Sequence, residues 1–223
     1  MTMYDKQSLI ELYRKTFTTW TDEQIEAQAD FMSKKYSTLK QGDDVIHLDY
    51  YSVIITDNDI IAIENELEKF NLQLSRFDKM GVPYASVEDF MLQMAFFLGD
   101  KTTQDVLTGV GTNALWDAIK ALTISVWVKI RSSRFKNDKS INYGIKLSLD
   151  KNTKFEFKID GDFSEETALK ALDKIIDFLK TTKVNDTIKR PEFVTFNERT
   201  EKWEIVDVDA ELRKKYFDSK GEK

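Results

Sequence analysis

The chain of 223 residues contains no cysteine. Disulfides, thiolate catalysis and cysteine-ligated metal sites are therefore excluded. A single histidine, His47, excludes a histidine-rich metal site as well. Only two prolines, Pro83 and Pro191, punctuate the chain, so few places force a break. No uncharged apolar run reaches the length of about 18 residues that marks a membrane-spanning helix. The N-terminal stretch MTMYDKQSLIELYRK carries charges inside its apolar pattern, so no secretory leader is expected and a cytoplasmic location is. A basic excess is missing too. Lys and Arg number 33 against 39 Asp and Glu, a net charge of −6, which argues against a generic nucleic-acid binder. Apolar residues make up 41% and aromatic residues 12%, enough for a substantial core.

The most legible passage runs from Ile141 to Thr182. Tyr143, Ile145, Leu147 and Leu149 alternate with Gly144, Lys146 and Ser148, and Phe155, Phe157 and Ile159 alternate with lysines and acids. Period two with charged partners predicts two strands with one buried face. Asp150-Lys-Asn-Thr153 is a polar turn between them. Ser164 then caps a predicted helix whose Ala168, Leu172, Ile175 and Leu179 share a stripe.

The N-terminal half reads as helix-rich. Leu9, Leu12, Tyr13 and Phe17 fit one helix, and Thr21 with Gln24 forms a capping box ahead of a second through Ile25, Ala29, Met32 and Tyr36. Val45 to Thr56 is β-rich. A helix from about 58 to 70, capped by Thr56 or Asp57, and a short strand from Leu72 to Phe77 follow. Ser86 is read as the cap of a helix carrying Val87, Phe90, Met91, Met94 and Phe97. Gly99 to Asn113 holds three of the eight glycines and is read as a joint. Beyond it come an apolar helix from Ala114 to about Ile130, the strands and helix above, and a second hairpin of Phe193–Phe196 and Trp203–Val206. The expected fold is therefore α+β. Residues 1–98 form a helix-rich region and 99–113 a Gly/Thr-rich joint. In 114–210 antiparallel hairpins pack on helices, and 211–223 is a charged tail.

No set of residues declares a chemistry. His47 has Asp49 on the same face of its strand, but a catalytic reading needs a nucleophile and an oxyanion donor as well, so an ordinary strand histidine is the plainer reading. Asp160, Asp162, Ser164 and Glu166 imitate a calcium loop. Glu165 and Ala171 stand where that loop needs glycine and glutamate, and a helix start fits better. Asp57-Asn-Asp59 fails the same test at Ile61. Gly109-Val-Gly-Thr-Asn113 lacks the lysine of a phosphate-binding loop and follows no clear strand. No cofactor, metal or small-molecule substrate is expected. Enzymes using carboxylates alone stay open, because Asp and Glu are too abundant to single out a pair.

The helix at 114–130 carries the strongest functional hint. It is apolar on more than one face, which usually marks a core helix. Alternatively Trp116 and Trp127 anchor it at a partner or membrane surface, and Lys129, Arg131, Arg134, Lys136 and Lys139 meet anionic headgroups or an acidic partner. The passage NALWDAIKAL…YGIKLSLD…FEFKIDGDFSEETALKALDKI resembles small uncharacterised accessory domains that accompany bacterial defence effectors. That resemblance covers residues 113–178 and carries over no residue roles. The expectation is a non-enzymatic interaction or assembly protein of a bacterial or phage system, with a protein partner or its own copies as ligand. Peripheral membrane binding is the alternative.

Overall fold

The computed structural model describes residues 5–82, 92–108, 113–133, 142–150, 152–182 and 192–207. Two helices open it, α1 (Lys6–Thr16) and α2 (Asp22–Ser37). Asp5 caps α1 by accepting from the Ser8 amide, and the Thr21–Gln24 capping box starts α2 as expected. Strand β1 (Val45–Tyr50) leads into α3 (Asp57–Glu68), which opens on a second capping box, Thr56 with Asp59. Asn71, in the left-handed region at φ 56°, closes α3, and the Leu72 amide returns to the Leu67 carbonyl. That closure starts β2 (Gln73–Asp78). The remaining elements are β3 (Met94–Leu98), α4 (Asp100–Thr108), α5 (Asn113–Ser132), β4 (Tyr143–Ser148), β5 (Lys154–Ile159), α6 (Glu165–Thr181), β6 (Glu192–Asn197) and β7 (Lys202–Ile205).

All the described strands form one sheet of order β2-β1-β3-β4-β5-β6-β7. It consists of three parallel pairs set side by side, with β7 added at one edge. In each pair the connection is helical: α3 joins β1 to β2, α4 and α5 join β3 to β4, and α6 joins β5 to β6. Parallel neighbours need such crossovers, whereas β4–β5 and β6–β7 are antiparallel and need only turns. One row crosses the sheet from Ile46 through Leu98, Leu147 and Phe155, and a second from Leu48 through Phe96, Ile145 and Phe157 to Val194. Both rows join one core with Ile60, Ile63 and Leu67 of α3, Ile119 and Trp127 of α5, and Leu172 and Ile175 of α6. On the other face a smaller cluster of α1 and α2, including Leu9, Ile25 and Met32, reaches the sheet through Phe77, whose ring stacks on Tyr36.

Several expectations give way here. Helices and strands are interspersed along the chain, not segregated into a helical half and a hairpin half. The two C-terminal hairpins are joined in parallel through β5 and β6, so the sheet is mixed. Helix α6 is the reason, since it carries the chain back to the same end of the sheet before β6 begins. Met94 and Phe97, read as helical, lie in β3. Four of the five β3 residues are buried, and a strand covered on both faces loses the alternation that would identify it. The rest of that predicted helix, including Ser86, lies outside the described residues. The joint holds a helix, α4, and β3 before it pairs with β4 beyond it. The β-rich stretch from Val45 ends as strand at Tyr50. The charged tail 211–223 lies outside the described residues.

Gly144 shows how tightly the centre is built. A Cβ there would sit 1.9 Å from the Phe157 carbonyl oxygen and 3.1 Å from Leu92 Cδ1. A backbone atom cannot swing aside as a side chain can, so any substituent must part β4 from β5. Gly144→Ala is therefore expected to destabilise the fold by about 3 kcal/mol or more, the upper end for an overpacked core. The drop in urea midpoint, set beside that of an exposed control such as Lys202→Ala, measures it.

Candidate interaction site

Helix α5 lies in the core. Trp116 is 7% exposed and Trp127 only 2%. The Trp127 indole N–H donates to the Asp160 carbonyl at 3.3 Å. Arg131 donates to the Phe163 carbonyl at 2.8 Å and its guanidinium lies 4.6 Å from the Trp127 ring centre. These contacts tie α5 to the turn between β5 and α6. Lys129 is paired with Asp59 of α3 at 2.8 Å. The exposed positions of α5 are Ala114, Asp117, Ala121, Ser125 and Val128, with Arg131 and Ser132 at its end. Of the residues offered as a partner or membrane contact, both tryptophans thus face inward, and Lys129 and Arg131 are engaged within the molecule. Arg134, Lys136 and Lys139 lie outside the described residues, as do Gly109, Gly111 and Thr112.

The other sequence candidates resolve into local structure. Asp160 Oδ1 accepts from the Asp162 amide and Ser164 caps α6. Asp59 belongs to the capping box of α3. Among the described residues no cluster of His, Asp and Glu is arranged to hold a metal ion. His47 is half-buried on the sheet face away from α3, α5 and α6, with the Phe97 ring 6.0 Å away. Burial pushes its pKa below the usual histidine range, while the charge of Asp49 opposes that shift. Further along the same face Glu156 is buried, 3.5 Å from Lys146, and accepts from the Leu92 amide. Glu156 and Lys146 are paired with each other. Ser75 of β2 lies in register with His47, but its Oγ accepts from the Lys40 amide and no hydrogen bond joins it to the imidazole among the described residues.

A cleft bounded wholly by described residues lies elsewhere, at the carboxyl ends of the parallel pair β1 and β2. It is an open cleft of about 430 Å³. Tyr50 ends β1, and Arg76, Phe77 and Asp78 end β2; α2 supplies Phe31, Lys34 and Lys35. The ends of parallel strands favour binding because the chain leaves them in loops that can form a crevice.

Lys35 builds the cleft. Its ammonium donates to the Asp78 and Met80 carbonyls and lies 4.8 Å from the Phe31 ring centre and 5.7 Å from that of Phe77. Gln28 donates to the Gly81 carbonyl at 2.9 Å. Gly81 takes a φ of +76°, and a Cβ on it would meet the Phe31 ring at 3.3 Å. Asp78 Oδ1 accepts from the Ser52 and Met80 amides, so the loops after β1 and β2 are clipped to one carboxylate. The segments so joined carry three exposed apolar side chains: Phe31 on α2 at 41%, Val53 in the loop after β1 at 47% and Met80 in the loop after β2 at 41%. The sequence offered one signal for this. Phe31 falls off the inward stripe of Ile25, Ala29 and Met32 that its own helix buries.

No protein-family model matches the chain, and neither a curated protein nor a solved structure matches it. No helix among the described residues is long and apolar enough to cross a membrane.

Two expectations follow from these placements. Trp20→Phe leaves Trp116, Trp127 and Trp203 as the remaining tryptophans, all buried. Acrylamide should then quench native emission several-fold less than emission in urea; equal quenching would place a tryptophan at the surface. His47 supplies a pH dependence. In the unfolded chain it takes a proton near pH 6.5, and in the fold at lower pH. The contribution of neutral His47 is complete above that value and is lost as pH falls below it toward the folded pKa. His47→Gln should flatten the decline in urea midpoint between about pH 7.5 and about pH 5.5.

Proposed function

We propose that this is a non-enzymatic interaction protein, an adaptor or assembly component, and that it meets its protein partner at the α2 face of the β1–β2 cleft. The gathering of Phe31, Val53 and Met80 around Asp78 carries this reading. Single exposed apolar residues are ordinary on any surface, but three on segments tied together by fixed hydrogen bonds suit recognition. Phe31 has the character of an anchor: a large aromatic ring, presented by a helix and backed by a cation. The rim is preorganised, because Lys35, Gln28 and Asp78 already fix its backbone, so little ordering remains to oppose binding. The setting in a bacterial or phage system rests on the resemblance of residues 113–178 alone.

The test compares immobilised wild-type chain with Phe31→Asp in a lysate of the source cells, with light scattering on the eluted complex. Phe31 is exposed, so the variant should keep the thermal midpoint of wild type. A stoichiometric partner, or a homomer, that is present with wild type and lost with Phe31→Asp is the expected result. A partner held equally by both proteins would overturn the assignment of this surface, and a chain that stays monomeric and unpartnered would overturn the interaction reading itself.

A further inference from the structure

The cleft beside that rim has a charge character that narrows the class of partner. Three cations line it: Lys34, Lys35 and Arg76. They sit on a chain of net charge −6, so the cleft runs against the sign of the molecule as a whole. Each is in a different state. Lys34 is held by Asp30 at 2.7 Å, a pair that is largely exposed and easily exchanged. Lys35 donates hydrogen bonds to two backbone carbonyls, which leave its charge unneutralised. Arg76 is exposed, and its side chain makes no hydrogen bond or ion pair with any described residue. The acid on the wall, Asp78, accepts from the Ser52 and Met80 amides and, like Lys35, keeps its charge, so the three cations outnumber one anion in the lining.

Arg76 therefore brings a planar fork of donors to the margin of a cleft that Tyr50 and Phe77 also line. A carboxylate is the side-chain group that such a fork pairs with in two parallel hydrogen bonds. The aromatic walls and the Phe31–Met80–Val53 rim supply a neighbouring surface for an apolar side chain. The cleft is open to solvent, which suits a chain segment better than an enclosed small molecule.

Resting on the interaction reading above, we propose that the partner inserts an acidic peptide segment here: an Asp or Glu on Arg76, with an adjacent aromatic or branched aliphatic side chain against Phe31 and Phe77. Lys34 and Lys35 then act as fixed positive charge that draws the segment in and sets its direction. Such recognition is sensitive to salt, since the cations are exposed to solvent.

A random-sequence peptide library displayed on phage, selected on the full-length chain, tests this whatever the identity of the partner. Enriched peptides are synthesised with a fluorophore and titrated by anisotropy against wild type, Arg76→Gln and Arg76→Glu, each checked for an unchanged thermal midpoint. The expected result is enrichment of peptides pairing Asp or Glu with a large apolar residue. Arg76→Gln should weaken their binding about tenfold, and Arg76→Glu more. Added salt should weaken wild type more than Arg76→Gln. Enriched peptides without acids, binding unaffected by Arg76→Glu, or no enrichment at all would each overturn the proposal. A polyanion control, single-stranded DNA competing as well as the peptides, would overturn the peptide assignment in favour of a phosphate-bearing ligand. The two levels separate cleanly. If the peptides fail while Phe31→Asp still loses the cellular partner, the surface stands and the acidic class falls. If acidic peptides bind through Arg76 while the partner ignores Phe31→Asp, the cleft stands and the functional reading falls.

Discussion

Everything else in this fold depends on β3 lying between β1 and β4. Its register runs antiparallel to β1, from Leu98 opposite Ile46 to Ala95 opposite Asp49. On its other edge it runs parallel to β4, from Met94 beside Tyr143 to Leu98 beside Leu147. Without that strand the first parallel pair and the remaining strands would be two separate sheets. With it, one sheet carries α3, α5 and α6 on a single face, and Lys129 of α5 can reach Asp59 of α3. Backbone pairing of this kind joins residues far apart in sequence, so it is costly in chain entropy and needs a large apolar gain to offset it. The rows from Leu48 to Val194 and from Ile46 to Phe155 supply that gain by removing side chains from water along almost the whole width of the sheet.

The same strand marks the boundary of what the sequence reveals. Hairpin β4–β5 and helix α6 are legible because each has a wetter face: Lys146, Lys154 and Lys158 on the strands and Glu165, Glu166 and Lys170 on the helix stand against apolar neighbours at the proper period. Both capping boxes, at Thr21 and at Thr56, are legible because they are local chemistry. In β3 the period vanishes, because Met94, Phe96 and Leu98 face the helices while Ala95 is buried on the opposite side. An apolar run buried on both faces looks the same whether it is strand or helix. With β3 hidden, the element that joins the halves is hidden too. The glycines and threonines after it then suggest a joint between separate regions, though part of that stretch is the helix α4.

The candidate site is less legible still, and for a related reason. Phe31, Tyr50, Arg76 and Met80 come from three elements and a loop, and none of them carries a motif. The most conspicuous functional candidates, Trp116 and Trp127, turn inward because α5 is the helix that fills the space over the centre of the sheet. A helix apolar on several faces has to meet several apolar surfaces at once, and the sheet with α3, α4 and α6 provides them. Its basic C-terminal residues are then explained internally. Arg131 caps the turn at Phe163 and stacks on Trp127, and Lys129 bridges to α3.

What remains for function is the margin of the sheet, and the margin is not symmetric. At one edge Trp203 of β7 packs against Phe157 and its indole donates to the Ala171 carbonyl of α6, which ties the β6–β7 hairpin to that helix. At the other edge β2 is met by α2, which contributes Tyr36 on Phe77 and Lys35 on the Asp78 and Met80 carbonyls. An amphipathic helix usually turns its cations to water. Lys35 instead bends into backbone carbonyls and two aromatic rings, which draws the loop after β2 against α2 and leaves Phe31 exposed above it. That choice lowers the stability available from burying Phe31 and leaves positive charge in the cleft that Arg76 also lines. The exposed ring of Phe31 and the cations beside it are the features of this edge on which the proposed partner contact rests.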